Sequence, residues 1–257
     1  MPNDAPLFDA HFHIIDDAYP LVANQGYLPE AFTCDDYLER MEGRQLVGGA
    51  VVSGSFQGFD QGCLLAALRR LGEGFVGVTQ LPAGVDDTTL EQLHQAGVRA
   101  VRFNLLRGGS EAVSRLDGFA RRVHERLGWH VELYLDAQAL EHLYPVLESL
   151  PAVCIDHLGL SLGGQRTLLR LVEQGVRVKA CGFGRVDFDL APVLRDLYAA
   201  NPHSLMFGTD LPSTRAPRPY QESDMALVRE ALSEDGARRV CCENALAFYR
   251  LAGLMVS

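Results

Sequence analysis

The sequence predicts a single (β/α)8 barrel of the α/β class, and three observations carry that reading. Its 257 residues suit one barrel of about 250 residues, or else one to two smaller domains. Apolar, β-branched runs recur at even intervals, with segments of helical periodicity between most of them. Several of these runs end in His or Asp, at the strand ends where such barrels place their chemistry. A doubly wound parallel sheet is the structural alternative.

The strand-like runs are residues 7–14, 49–53, 75–81, 100–104, 130–135, 153–157, 176–182 and 205–210. Helical periodicity covers 62–71, 88–96, 111–127, 137–150, 164–173 and 191–200. Asp136 ahead of Ala137 reads as an N-cap, Gly97 and Gly128 as helix stops, and Pro151 separates a helix from the sixth strand. The stretch 212–219, with Pro212, Pro217 and Pro219, reads as a long surface loop after the eighth strand, and 235–249 as a closing helix. No repeat, low-complexity tract or Ser/Gly linker interrupts the pattern, so residues 1–257 are expected to form one domain.

Composition narrows the function classes. With 47% apolar residues the chain has material for a large core, which excludes a disordered or fibrous class. No apolar run approaches the roughly 18 residues of a membrane span, and residues 1–8 carry no readable signal peptide. The net charge of −10, with basic residues clustering no further than Arg69-Arg70 and Arg121-Arg122, argues against nucleic acid or an anionic membrane as partner. A small molecule is the expected partner, and oligomeric state stays open. Cys34, Cys63, Cys154, Cys181, Cys241 and Cys242 show no C-x-x-C spacing, which points to a reducing cytoplasm, with Cys154 and Cys181 as small core residues.

The chemistry gathers at strand ends. Residues i and i+2 of a strand share a face, so Asp9, His11 and His13 are expected together, opposite Phe8, Ala10 and Phe12. If the apolar set faces the helices, the acid and two imidazoles face the barrel axis, where burial without partners is costly. The competing reading is a pair of satisfied core histidines. The sixth run closes on Asp156-His157 and the eighth on Thr209-Asp210. One Asp at a strand end is an ordinary turn former; three converging strand ends are harder to set aside. His11, His13 and Asp210 also form a donor set able to hold one Zn²⁺ or Mn²⁺ with water in the remaining position.

Arginines mark the rim. Arg102 shares its face with Asn104, Arg107 follows in the same loop, and Arg185 and Arg215 lie just beyond strands seven and eight. In an acidic protein, planar cationic forks at successive loop starts suggest an anionic substrate. Surface ion pairing is the competing reading for Arg215 and Arg218. Ser53, Ser55 and Tyr134 can donate hydrogen bonds to a carboxylate or ring oxygen, and Ser is equally a turn former. His94, His124, His142 and His203 read as ordinary surface or packing residues. Lys179, the only lysine, is assigned a structural ion pair with an axial acid.

Asp9-Ala10-His11-Phe12-His13, Ile155-Asp156-His157-Leu158-Gly159, Gly208-Thr209-Asp210-Leu211-Pro212 and Glu243-Asn244-Ala245-Leu246-Ala247-Phe248-Tyr249 together resemble the amidohydrolase superfamily. Within it the chain is similar to the branch of 2-pyrone-4,6-dicarboxylate lactonases and relatives acting on other lactones. Val101-Arg102-Phe103-Asn104-Leu105-Leu106 and Cys181-Gly182-Phe183-Gly184-Arg185 add to the match. The resemblance spans residues 9 to 249 and implies a distorted barrel that hydrolyses a cyclic ester, in aromatic catabolism.

Two-metal members of the superfamily add a bridging carbamylated lysine on strand four and a histidine on strand five. This chain has Arg102 in the first place and Glu132-Leu133-Tyr134 in the second, so that centre is not available. The resemblance implies a metal-free site in which Asp210 activates water, His11, His13 and His157 polarise the carbonyl, and Arg102, Arg107 and Arg185 clamp carboxylates. No cofactor is then expected, with a single divalent metal as the alternative. The expected substrate is a small carboxylated lactone resembling 2-pyrone-4,6-dicarboxylate. The chain is short for those enzymes, which implies trimmed loops and leaves a sugar-acid lactone open. A single-metal amide hydrolase or decarboxylase, and a barrel that binds without turnover, complete the alternatives.

Overall fold

The computed structural model describes residues 5–251 and 253. Eight strands form one sheet in sequence order, every neighbouring pair parallel: β1 (Leu7–Phe12), β2 (Leu46–Val52), β3 (Phe75–Thr79), β4 (Val98–Asn104), β5 (His130–Tyr134), β6 (Val153–Ile155), β7 (Arg177–Ala180) and β8 (Leu205–Phe207). Around it lie α1 (Cys34–Arg40), α2 (Gly62–Leu71), α3 (Asp87–Gln95), α4 (Leu116–Leu127), α5 (Leu140–Leu147), α6 (Gln165–Glu173), α7 (Leu190–Ala200) and α8 (Glu222–Ala231). The chain ends in α9 (Glu234–Arg238), a π-helical turn at Arg239–Glu243 and α10 (Asn244–Phe248), where periodicity alone predicts one unbroken helix. No described helix is long and apolar enough to cross a membrane.

Local chemistry explains most of these elements. Gly128 ends α4 in the left-handed conformation at φ 69°, and the Asp136 carboxylate accepts from the Gln138 N–H at the start of the following 3-10 turn. Two helices escape the periodicity argument, α1 and α8. The first carries a readable signal: Thr33 and Asp36 form a reciprocal capping box three residues apart.

The face assignment of β1 needs correction. Phe8 and Ala10 pack inside the barrel with Ala50, Val52, Val76, Val78, Ala100, Cys154 and Met206, and α10 with the preceding turn plugs the bottom through Cys242, Ala245, Leu246 and Tyr249. Phe12 faces outward and stacks on Tyr37 of α1 at 3.8 Å. The simple alternation fails because β1 carries a bulge: from Asp9 to Phe12 it advances three residues while β2 advances two, Gly49 to Val51. The extra residue sends Asp9 outward and leaves His11 on the inside.

Asp9 therefore joins the seam between β1 and β8. Its carboxylate accepts from the Thr209 N–H at 2.8 Å, the Thr209 hydroxyl at 2.6 Å and the Tyr37 hydroxyl at 3.2 Å. Beyond β8 the Asp210 N–H donates to the His11 carbonyl and the His13 N–H to that of Leu211, each at 2.7 Å. Gly208 permits this approach, since a Cβ there would lie 2.7 Å from the His11 nitrogen.

Candidate active site

Three strand ends, those of β1, β6 and β8, meet at the carboxyl end of the barrel. The His11 ring lies 5.1 Å from that of His13 and 4.8 Å from that of His157, centroid to centroid. Asp210 Oδ1 is 3.9 Å from His11 Nε2 and 3.9 Å from His13 Nε2. All four residues are buried, and His11 Nε2 has no hydrogen-bond partner among the described residues. His157 and Asp210 adopt left-handed backbone angles, φ 53° and 60°, an unfavourable conformation that recurs at functional sites. Gly182 makes room for the His157 ring, since a Cβ there would lie 2.6 Å from Nδ1. Asp9, which two-residue alternation grouped with these imidazoles, is absent from the floor.

Below and beside the histidines, charges are paired. Arg185 donates to Asp210 through Nε at 2.6 Å and Nη2 at 3.0 Å. Arg102 Nε donates to Asp156 Oδ2 at 2.9 Å and stands 5.1 Å from the centre of the Tyr134 ring. Lys179 Nζ donates to Glu132 Oε2 at 2.6 Å, the expected axial ion pair, and Glu132 also accepts from the Tyr249 hydroxyl at 2.7 Å. Burial favours neutral acids, and each pairing works against it. Burial raises the Asp210 carboxyl, with Arg185 opposing; for Glu132, the Lys179 ammonium overcomes burial and brings the carboxyl down to about 2. Burial, then the Lys179 charge, hold His11 neutral, and burial with Arg102 brings His13 down to about 3.

Above the floor opens a narrow, solvent-connected cleft. His13, Ser55, Arg102, Asn104, Arg107, Tyr134, His157, Arg185 and Arg215 line it, joined by Gly54, Phe56 and Thr214, which sequence reasoning did not single out. Ser53 is buried outside the lining, its hydroxyl without a hydrogen-bond partner among the described residues. The arginines divide into two kinds. Arg102 and Arg185 are held by buried acids, whereas Arg107 and Arg215 have no acidic partner among the described residues. The Asn104 side chain holds the Arg107 N–H at 2.9 Å; Arg215 sits on the Tyr27 ring at 4.4 Å and donates to the Asn24 carbonyl. Arg218, by contrast, pairs with the buried Asp224.

The amidohydrolase sequence profile matches residues 8–251. The chain belongs to the amidohydrolase family. It is 32% identical over 164 residues to a 2-pyrone-4,6-dicarboxylate hydrolase of Comamonas testosteroni, an alignment covering 60% of this chain and about half, 52%, of that relative. A D-galactarolactone isomerase of Agrobacterium fabrum is 27% identical over 266 residues, covering 95% of this amidohydrolase and 91% of the relative. The fold superposes on a crystallised Agrobacterium tumefaciens protein with TM-score 0.84 and 22% identity, over 97% of this chain and 98% of that one.

Among the described residues, two groups of side chains bring ligand atoms within 4.8 Å of one another: His11, His157 and Asp210, and His11, Glu132 and Asp156. In kind and number the first set suits a single Zn²⁺ or Mn²⁺. His13, which spacing placed in the set, stands outside both groups, its Nδ1 2.6 Å from the Val52 carbonyl. Part of the surroundings opposes an ion: both Asp210 oxygens already accept from Arg185, and the Lys179 ammonium stands 3.4 Å from His11 Nδ1. Asp156 Oδ1, 3.5 Å from the same nitrogen, is the acceptor that a ligating imidazole needs for its other N–H.

The residues that sequence reasoning missed in this amidohydrolase are those that hold the floor rather than form it. Asp156 was visible as a motif residue, but not as the anchor of Arg102. Glu132 follows Lys179 as the only lysine's partner. Cys181, read as core, lies 3.1 Å from His157 Nδ1.

Proposed function

We propose that this amidohydrolase hydrolyses a small anionic lactone, with Asp210 as general base for the attacking water. One observation carries the reading: the buried Asp210 carboxylate lies 3.9 Å from each of two imidazole nitrogens. Each spacing is too long for a hydrogen bond and leaves room for one oxygen, of water or of substrate, about 2.8 Å from both atoms. Arg185 keeps the carboxylate available as an anion despite its burial.

The chemistry then balances. Water gives a proton to Asp210 as its oxygen bonds the lactone carbonyl carbon; imidazole N–H groups stabilise the oxyanion. Collapse breaks the bond to the ring oxygen, which takes the proton back from Asp210. The product is the ring-opened acid. Arg107 and Arg215, lacking acidic partners, take the substrate's carboxylate, with Ser55, Asn104 and Tyr134 beside them. Arg102 and Arg185, first read as free clamps, offer only the donors that Asp156 and Asp210 leave over. The relatives named for a pyrone dicarboxylate and for a sugar-acid lactone support an anionic lactone as substrate class. The near full-length alignment to the galactarolactone enzyme favours the sugar-acid lactone as the second reading.

The test is turnover of 2-pyrone-4,6-dicarboxylate, a sugar-acid lactone and a neutral lactone by the wild type and by Asp210→Asn. Ring opening of an anionic lactone that the Asn variant abolishes is expected. Full turnover by the variant overturns Asp210 as base. Tight anion binding without turnover of any lactone makes the protein a binding barrel.

A further inference from the structure

The three floor histidines are not equivalent, and the groups behind their Nδ1 atoms differ in kind. His13 Nδ1 lies 2.6 Å from the Val52 carbonyl, which can only accept, so His13 carries its proton on Nδ1 and presents a bare Nε2 lone pair. His11 Nδ1 lies 3.4 Å from Lys179 Nζ, an ammonium that can only donate, and its Nε2 faces the Asp210 carboxylate at 3.9 Å. A cation at one nitrogen and an anion at the other place the proton on Nε2. Asp156 Oδ1, 3.5 Å from the same Nδ1 and without a hydrogen-bond partner among the described residues, is the competing acceptor; Arg102 holds that carboxylate through Oδ2, and the Lys179 ammonium is the nearer group. His157 Nδ1 lies 3.1 Å from Cys181 Sγ. Burial keeps the Cys181 thiol protonated, so it can donate to Nδ1, which puts the imidazole proton on Nε2.

We propose that Lys179 and Cys181, two residues apart at the end of β7, are positioning residues that hold His11 and His157 as Nε2–H donors, while the Val52 carbonyl holds His13 as an Nε2 acceptor. The division rests on the lactone-hydrolase reading only for its use. Two donors meet the oxyanion, and the one acceptor, with Asp210, receives the two hydrogens of the attacking water. His13, first grouped with its neighbours as a carbonyl stabiliser, then belongs to the water rather than to the carbonyl.

The test reads tautomers directly in the resting protein, independent of any substrate. In protein labelled with ¹⁵N-histidine, long-range proton–nitrogen correlation spectra distinguish protonated from bare ring nitrogens, and single His→Gln variants assign them. His11 and His157 are expected as Nε2–H and His13 as Nδ1–H; an Nδ1–H tautomer at His11 or His157, or a bare Nδ1 at His13, overturns the proposal. Lys179→Met is expected to hand His11 Nδ1 to Asp156 and so reverse its tautomer, with kcat lowered about 10–100-fold and KM changed far less. Cys181→Ala should do the same at His157, and Cys181→Ser, which keeps a donor, should restore both spectrum and rate. A Lys179 variant that fails to fold leaves the wild-type spectrum and the Cys181 pair to decide. Absence of lactone turnover refutes the function and leaves the tautomer assignment standing or falling on the spectra.

Discussion

Arg185 and Asp210 meet in a two-bond ion pair at the floor of the cleft, Nε to Oδ2 at 2.6 Å and Nη2 to Oδ1 at 3.0 Å. The carboxylate that suits the base is thus held by an arginine first taken for a substrate clamp. Asp210 must be ionised to accept a proton, so kcat/KM falls as pH drops through its pKa, which burial raises above the ordinary carboxylate value. Arg185→Met removes the opposing charge, and the acidic limb should move up by about 1–3 pH units. A pH–rate profile of the variant checks this, and an unmoved limb refutes the assignment.

The unpaired arginines give the sharper test of substrate class. Arg102→Met would strand buried Asp156, at a cost of about 3–5 kcal/mol of stability, and so confounds binding with folding. Arg107→Met and Arg215→Met strand no acid. Each should raise KM for a carboxylated lactone by about tenfold or more, the scale of a charge-assisted hydrogen bond, and leave a neutral lactone nearly unaffected. Equal effects on both substrates would remove these arginines from carboxylate recognition.

Metal removal separates the two readings of the floor. Exhaustive chelation should leave the rate unchanged, and protein purified without chelator should contain well under one equivalent of zinc or manganese. Inhibition by chelator that Zn²⁺ or Mn²⁺ reverses would transfer the case to a single-metal enzyme built on His11, His157 and Asp210.

Asp9 predicts a stability profile rather than an activity profile. Burial raises its carboxyl from 3.8 to about 6, against the hydrogen bonds of Thr209, His11 and Tyr37. The folded state therefore holds this proton more tightly than the unfolded chain. Its contribution is fully present below pH 3.8 and is lost as pH rises through about 6, a change of about 3 kcal/mol at about 1.4 kcal/mol per pH unit. Asp9→Asn should flatten this part of the profile in denaturant titrations between pH 4 and 7. An unchanged slope would show that Asp9 does not titrate in that range.

Much of the fold is written locally. Strand and helix periods, the Gly128 stop and the Asp136 cap each depend on residues within one or two turns, so the barrel, its strand order and the convergence of His11, His13, His157 and Asp210 at one end are legible in the chain itself. The bulge in β1 is not. It arises from the register between β1 and β2, and it alone sends Asp9 to the seam and keeps His11 inside. Nor does sequence reveal which cation meets which acid: Arg102 and Asp156 are 54 residues apart, Lys179 and Glu132 47. Hydrophobic patterning is blind to such pairings, because a buried charge reads the same in one dimension whatever neutralises it. Residue types at strand ends therefore announce the chemistry, while the three-dimensional approach of Lys179, Cys181 and Arg185 to the floor decides which atom donates and which accepts.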